Sequence, residues 1–523
     1  MQPKSDRTLS RWTRIAMSLG IAAFAAACSS EGENLGTDDS EVSSDTGRNA
    51  NGYTAQESVF QKVMVDGYVG SKSDLAFNMP REKDRVGDWI FVQGIDTALD
   101  VAEVTGRYEG TVRTLIRGQD SRGWKKEFYD DENWMILALV RAYNLYGEGE
   151  WLRIAEDLHA DIRAAEDTTC CGDQKGGIWW DRPYTQKATA INAGAALSAV
   201  RLYRVTKKTS YLDFAKKQYG FWRGLALDLK TGALMDHIKP SGERINWRFT
   251  YNEALMIAAA TELYKETKQA SYESDARLLA SAMLKDETRD SKVGKVLFDG
   301  TNEKCNGDCP MFKGIASRFL RLYADTFRDK EASQVLGNGA RAVREVAFDP
   351  SSKLVGTDWS VEFRSGATMT EAMLSAEMAL FAVAPLQTKR ATKTFEAEEA
   401  FLGDGIGLEA SSGKFSGWGY LAGWEGGEGV TFRVDRPRAG DVDLVFRYAG
   451  VESRKYIFPT SGPIRDLVIN GSRVKEDLEF PKTGSWDNFQ DVKVRVKLPA
   501  GRSTIALTRG KYFLNLDKME IVD

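Results

Sequence analysis

From about Gln56 to Leu386 the apolar residues recur at three- and four-residue spacings, the mark of helices that bury one face. The pattern also repeats on a longer scale. Arg141-Ala142-Tyr143, Arg201-Leu202-Tyr203, Glu262-Leu263-Tyr264 and Arg321-Leu322-Tyr323 each end an apolar run, and a short polar turn then leads into a second helix. Their tyrosines recur at about 60 residues, too long for a tetratricopeptide array and suited to helix pairs joined by longer loops. Val101 to Gly106 looks like an earlier degenerate copy and Met373 to Ala384 like a last helix, which makes about six hairpins. Six hairpins can close into an (α/α)6 toroid whose inner helices form the core and whose long loops build a cleft at one end. An open α-solenoid scaffold is the alternative that periodicity leaves standing.

The period changes beyond about Pro385. Residues 387–393 read as a short polar linker, and alternating runs such as Val430-Thr431-Phe432-Arg433-Val434 and Val442-Asp443-Leu444-Val445-Phe446 follow, with Gly-rich turns between them. About nine such runs predict an antiparallel β-sandwich over 394–523. Gly403, Gly405 and Gly407 echo a nucleotide loop, but no βαβ unit follows and they read as turn chemistry. The expected fold class is multidomain: an all-α (α/α)6 barrel over 56–386, then a β-sandwich of jelly-roll type.

At the other end, Lys4, Arg7, Arg11 and Arg14 precede the apolar run Ile15 to Ala27, which closes on Ala25-Ala26-Ala27-Cys28. This is the layout of a secretory signal peptide over 1–27, and the run is short for a transmembrane helix. A cysteine directly after small residues resembles a bacterial lipobox, in which that thiol is lipidated, although Ala25 stands where Leu is usual; simple secretion is the alternative. Residues 28–55 hold almost nothing apolar and read as a flexible acidic tether. The expected location is therefore outside the cytoplasm, on a lipid anchor in the membrane at the cell surface or in the periplasm of a bacterium.

With 523 residues and a formal net charge of −4, the chain shows no global basicity that would suggest nucleic acid. Four cysteines remain besides Cys28. In an exported chain Cys170, Cys171, Cys305 and Cys309 suggest two disulfides, with bonds from the adjacent pair to the Cys305/Cys309 loop geometrically easier than a vicinal bond; a four-thiolate zinc site is the rival. His159 and His237 are the only histidines, which disfavours a histidine-rich metal site or a Ser-His-Asp triad, and each reads as a surface or packing residue.

Candidate chemistry gathers at Phe128-Tyr129-Asp130-Asp131-Glu132-Asn133-Trp134. Acidic residues at a helix start commonly cap free N–H groups and face the positive end of the dipole. Here two carboxylates stand between Tyr129 and Trp134, flat rings of the kind that stack on sugars, and glycoside hydrolysis uses two carboxylates. Neighbours in a regular helix do not face one another, so a working pair should sit at an irregular helix entry. Gly176-Gly177-Ile178-Trp179-Trp180-Asp181 adds two indoles and a carboxylate, a sugar platform with a hydroxyl acceptor if it lines a cleft and loop packing if not. Tyr251-Asn252-Glu253 and Pro310-Met311-Phe312-Lys313-Gly314 stand at two further helix starts, which on a common ring would point into one cleft.

Taken in order, Phe128 to Trp134, Gly176 to Asp181, Tyr211-Leu212-Asp213 with Ala215-Lys216-Lys217, Tyr251-Asn252 and Cys309 to Gly314 resemble glycoside hydrolase family 76, the endo-α-1,6-mannanases. The resemblance covers roughly residues 56–386. It implies an (α/α)6 barrel and a retaining mechanism with no catalytic cofactor, in which Asp130 is the nucleophile and Asp131 the general acid/base. It also implies substrate contacts from Tyr129, Trp134, Trp179, Trp180, Asp181, Tyr251, Asn252, Phe312 and Lys313. Glu253, where the family usually has an uncharged residue, and the Cys170-Cys171 doublet depart from the pattern.

Phe395-Glu396-Ala397-Glu398, Gly484-Ser485-Trp486 and Asn515-Leu516-Asp517 resemble carbohydrate-binding module families 6 and 35. That likeness implies a structural calcium ion at Glu396, Glu398 and Asp517, oxygen ligands that suit it, with an unmetallated carboxylate pair as the alternative. It also implies a glycan cleft at Tyr420, Trp486 and Asn515. Three readings follow: a monomeric, surface-anchored α-1,6-mannan hydrolase whose module holds the polymer; a transglycosidase with the same aspartate pair; and a non-catalytic glycan-binding lipoprotein, from which that pair would be expected to be missing.

Overall fold

The structure is a computed structural model that describes residues 87–171, 175–300, 307–352, 354–363, 370–384, 393–403, 406–411, 414–424, 429–451 and 462–523. The leader, Cys28, the tether, Cys305 and linker residues 387–392 lie outside the described residues.

Eleven described helices form the first domain: α1 (Asp88–Thr105), α2 (Glu109–Arg122), α3 (Tyr129–Tyr146), α4 (Gly149–Ala164), α5 (Thr189–Thr206), α6 (Thr209–Ala226), α7 (Thr250–Thr267), α8 (Ala270–Asp286), α9 (Cys309–Phe327), α10 (Lys330–Glu345) and α11 (Thr370–Phe381). The odd-numbered helices pack on one another in sequence, and α11 packs back on α1, while the even-numbered ones pack outside. Six inner and five outer helices are therefore described, in the barrel-like arrangement that the repeat predicts. Composition follows position: α3, α5 and α7 are buried nearly all round, whereas α4 and α6 bury one stripe. Inner helices approach closely where a side chain is missing, and a Cβ at Gly194 of α5 would lie 2.2 Å from Asn133 of α3.

The 60-residue repeat has a physical basis at the inner-helix C-termini. Gly106, Gly147, Lys207, Lys268 and Arg328 each take the left-handed conformation there, with φ between 52° and 73°, and each donates its N–H to a carbonyl of the last turn, that of Tyr143, Tyr203 or Tyr264 in three of them. Two or three residues later the outer helix begins. The arginine of the motif ties neighbouring inner helices: Arg141 of α3 pairs with Asp96, Asp100 and Glu103 of α1 at 2.6–2.8 Å, and Arg321 of α9 donates to the Phe381 and Ala384 carbonyls that end α11. Because these tight turns occupy one end, the long loops all fall at the other, among the inner-helix N-termini.

The second domain has eleven described strands: β1 (Thr394–Glu396), β2 (Phe401–Leu402), β3 (Gly407–Glu409), β4 (Tyr420–Trp424), β5 (Val430–Arg436), β6 (Gly440–Ala449), β7 (Ile464–Ile469), β8 (Ser472–Glu479), β9 (Gln490–Leu498), β10 (Gly501–Lys511) and β11 (Leu514–Val522). They form two antiparallel sheets, ordered β3-β4-β11-β6-β9 with β1 also on β11, and β8-β7-β10-β5-β2. Val442, Leu444 and Phe446 from one sheet share a core with Val430, Phe432, Ile505 and Leu507 from the other, as their alternation predicts.

Helix α2 carries the junction between the domains. Thr114 Oγ1 accepts from the Leu402 amide at 3.0 Å, Arg107 Nε donates to Glu399 at 3.1 Å, and the Arg117 guanidinium lies 5.1 Å from the Phe401 ring centre. At Gly110 a Cβ would meet module backbone at 2.3 Å, so only glycine allows this approach.

Candidate active site

Tyr129 opens α3, so Asp130 and Asp131 are the second and third residues of a regular helix, and the irregular entry expected for a working pair is absent. Side chains in a first turn lean toward the N-terminus, so neighbours about 100° apart around the axis can both overhang the open end. The Asp130 carboxylate faces the amides of Asp130 and Asp131 and the Trp180 side chain, which favour its charge, but burial outweighs them and, with the Asp308 charge, pushes it up to about 7. Its Oδ1 is buried and has no hydrogen-bond partner. Asp131 is pushed up to about 9, first by burial and then by the charges of Asp130, Asp88 and Asp308, with Lys126 opposing.

Three other inner-helix starts converge on this pair. Asp88 of α1 bridges Arg122 at 2.8 Å and Lys126 at 2.9 Å, and Trp89 beside it hydrogen-bonds Asp308, the N-cap residue of α9. Tyr251 of α7 stacks on Phe312 of α9 at 4.2 Å, and its hydroxyl is held well above the ordinary range by burial and by the nearby Asp236, Asp130 and Asp308. Asn252 donates to Asp236 Oδ1 at 2.6 Å, while Asp236 Oδ2 meets His237 Nδ1 at 2.6 Å.

Several expected substrate contacts are otherwise engaged. Trp134 is 6% exposed and stacks on Phe319 in the core, because the sixth helical residue already lies inside the ring. Tyr129 is buried beneath the Arg182 guanidinium, 4.7 Å from its ring centre. Asp181 accepts from Thr185 N at 2.8 Å and Thr185 Oγ1 at 2.6 Å, which makes it a turn residue and not a hydroxyl acceptor. Lys313 is buried over Trp359 with its Nζ 3.2 Å from the Pro310 carbonyl. Trp179 covers the Lys187 ammonium at 4.7 Å. Trp180, Tyr251 and Phe312 keep the partial exposure that a sugar-stacking role needs.

Both departures from the family pattern find partners. Arg248 lies between Glu253 at 2.7 Å and Glu287 at 2.6 Å, so the unusual carboxylate has a buried counter-charge. Cys170 bonds to Cys171 across a cis peptide, and Cys309 is in a disulfide of its own, so the expected link between doublet and loop is not formed. Asp167 accepts from the Thr169 and Cys170 amides and folds the doublet into its own turn. His159 packs edge-on against Tyr211 and Phe214 as expected, but His237 belongs to the polar cluster at the cleft. Sequence reasoning passed over Asp236, Trp89 and Asp308. Only the last carries a local signal, an aspartate at a helix N-cap.

In the module, Tyr420 is buried between Phe415 and Phe489 with its hydroxyl on Glu409 and Ser411, so it underlies the expected glycan cleft and does not wall it. Asn515 is 7% exposed and pairs with Ala449 of that cluster; Trp486, at 37%, is the ring open to solvent. Ser416 joins two of the three expected calcium ligands, with its Oγ 2.8 Å from Glu396 and 3.2 Å from Asp517, and Trp418 N donates to Glu398 at 2.9 Å. Arg447 also pairs with Asp517 at 2.9 Å. Among the described residues no group of three or more His, Cys, Asp or Glu side chains is arranged to hold a metal ion.

The family profile of glycosyl hydrolase family 76 matches residues 53–394, and that of carbohydrate binding module family 6 matches residues 396–523. A mannan endo-1,6-alpha-mannosidase of Candida albicans is 28% identical over 183 residues, 33% of this chain and 40% of its own length. One from Saccharomyces cerevisiae is 27% identical over 213 residues, 37% of this chain and 46% of its own. The chain thus spans less than half the length of either relative. Among solved structures, the alpha-1,6-mannanase of Salegentibacter sp. HEL1_6 superposes with a TM-score of 0.57 at 25% identity, covering 64% of this chain and 99% of that one. An inactive variant of it with alanine at two successive aspartates, in complex with alpha-1,6-mannotetrose, gives 0.56 at 25% identity over 64% and 98%. With more than half of its length matched by one profile, the chain belongs to glycosyl hydrolase family 76.

Proposed function

We propose that the chain is a retaining endo-acting hydrolase of α-1,6-linked mannan, in which Asp130 is the nucleophile and Asp131 the acid/base. The observation that carries this reading is the adjacent pair overhanging the open end of α3, with Asp131 driven further toward its protonated form than Asp130. An Asp130 oxygen attacks the anomeric carbon while Asp131 gives its proton to the departing glycosidic oxygen; Asp131 then takes a proton from water, whose oxygen displaces Asp130. Trp180, Tyr251 and Phe312 offer rings for the sugars. The neighbour whose two successive aspartates are replaced in an inactive complex supports the assignment by analogy.

The test is incubation of the full chain with linear α-1,6-mannan, with product size and anomeric form followed by NMR. Short oligosaccharides released first as the α-anomer are expected, with Asp130→Asn and Asp131→Asn each lowering turnover at least about 10³-fold. First release of the β-anomer would overturn retention, and near-wild-type turnover in either variant would overturn the roles. Mannosyl transfer to an added sugar acceptor in preference to water would make the chain a transglycosidase.

The module is proposed to hold the same polymer, with calcium at Glu396, Glu398 and Asp517. What supports the ion is the buried Glu398, whose Oε2 lacks a hydrogen-bond partner and whose carboxyl is held well above its ordinary range by burial and by Glu396 and Glu399. A cation there would satisfy that oxygen and relieve the repulsion. Calorimetry should show the chain's melting transition falling on chelation and recovering with added calcium; a transition indifferent to both would remove the ion. Export and a lipid anchor at Cys28 are proposed from the leader alone, and labelling of Cys28 by a fatty-acid analogue would test them.

A further inference from the structure

One arginine outside the expected site reaches every part of the segment that delivers the aspartate pair. Arg182 follows the Trp179-Trp180-Asp181 loop, and its Nε donates to the Lys126 carbonyl at 2.7 Å. Nη1 meets Tyr129 Oη at 3.2 Å, and Nη2 meets both Glu132 Oε1 at 2.7 Å and Asp161 Oδ2 at 2.6 Å. The plane lies over the Tyr129 ring. One guanidinium thus contacts Lys126, three residues before the helix, the first helical residue Tyr129, the glutamate beside the pair, and outer helix α4. The backbones run antiparallel alongside: Tyr129 N donates to Trp180 O at 2.8 Å, Arg182 N donates to Glu127 O at 3.0 Å, and Phe128 faces Asp181 in a β-bridge. Phe128 also packs on Trp180, 4.6 Å between ring centres.

We propose that Arg182 is the positioning residue of the catalytic pair, a clamp that sets the first turn of α3 and the Trp180 loop in one geometry so that Asp130 and Asp131 meet the sugar together. The inference rests on the hydrolase reading above. An exposed ion pair would not need this arrangement, because two carboxylates would suffice and no carbonyl or ring contact would follow. Only a planar, multiply donating head can serve three acceptors on one segment and a fourth on α4, and an ammonium cannot. Glu132 is fully buried with one oxygen unpartnered, so loss of Arg182 would remove its counter-charge, leave it facing the Lys126 amide and the Asp161 carboxyl, and draw water into the helix entry.

The experiment compares Arg182→Met and Arg182→Lys with wild type and with Arg153→Met, which removes an exposed pair on α4. Two readouts are taken: kcat and KM on linear α-1,6-mannan, and the carboxyl titration of the pair by carbon NMR with labelled aspartate. Misplacing reacting groups by about 1 Å costs on the order of 10²-fold, so Arg182→Met is expected to lower kcat by that order with KM within about threefold, and Arg182→Lys to fall between it and wild type. Water reaching the pair should relax its desolvation and lower the upper apparent pKa by about 1 unit or more, while Arg153→Met changes neither readout. An Arg182→Met protein that melts earlier but keeps wild-type kcat and an unmoved titration would make Arg182 merely structural and overturn the proposal. A wild-type chain inactive on mannan would sink the substrate reading instead, and the titration would still decide the clamp.

Discussion

Asp130 and Asp131, the proposed catalytic pair, show how side chains poised for catalysis can also cost stability. Both carboxyls are raised, to about 7 and about 9, chiefly by burial, whereas in the unfolded chain they titrate near about 3.9. Below that value both states are protonated and the pair costs nothing; as pH rises toward 7 and then 9, the folded state is progressively penalised for ionising them. Asn at either position cannot ionise, so each variant is expected to melt higher than wild type at pH 8, by about 2 °C or more, with the gain shrinking toward pH 4. Scanning calorimetry at both pH values checks this, and a gain larger at pH 4 would contradict the sign. In the proposed mechanism the working form has Asp130 ionised and Asp131 protonated, so kcat/KM should rise through about 7 and fall through about 9, as read from a pH–rate profile.

At the scale of the element, the loop from α4 to α5 is held by a buried cation and has little apolar core of its own. Lys187 Nζ, with no exposed surface, bonds Asp167 Oδ2 and the Cys170 carbonyl at 2.6 Å each and also reaches the Gly176 carbonyl. Lys187→Met would remove the ammonium from a carboxylate and two carbonyls, leaving Asp167 only the Thr169 and Cys170 donors, and breaking a buried pair from one side typically costs about 3–5 kcal/mol. Asp167 is partly exposed, which puts the expectation at the lower end, about 3 kcal/mol by denaturant titration. The same loop presents Trp180, so binding of a mannan oligosaccharide should weaken alongside. Asp167 is held well below its ordinary range, with its bonds to Lys187, Thr169 and the local amides outweighing burial. Its share of stability is therefore present above about pH 4 and is lost as pH falls further.

For the molecule as a whole, the contact of Gly110 with the Glu399–Phe401 backbone makes the module a docked partner of α2. Gly110→Val would force that backbone away, and the expected result is separation of the domains with each still folded: one calorimetric transition becomes two, and the scattering radius grows. A single transition and unchanged radius would mean that the joint is held elsewhere. The Arg107–Glu399 pair, partly exposed, should matter less, since such pairs contribute about 1 kcal/mol or less.

The sequence by itself determined the two domain types, the 60-residue helical repeat, the change of period near residue 385 and the acidic helix start at Asp130, because each depends on spacings within one segment. Capping and periodicity are local, and Tyr143, Tyr203 and Tyr264 mark the turns they were expected to mark. The tertiary structure alone decided which polar and aromatic groups are free to act. Trp134, Tyr420, Asp181 and Lys313 have the chemistry of sugar ligands, yet each is taken by a neighbour: Phe319 from another helix, Phe489 from the loop before β9, Thr185 from four residues on and Pro310 from three residues back. Asp236, Asp308 and Arg182 reach the site because the ring brings loops and helix starts about 50 to 180 residues from Asp130 in sequence to one end. Whether a carboxylate is a cap, a ligand or a nucleophile depends on its desolvation and its partners, and those are properties of the closed ring that no stretch of sequence contains.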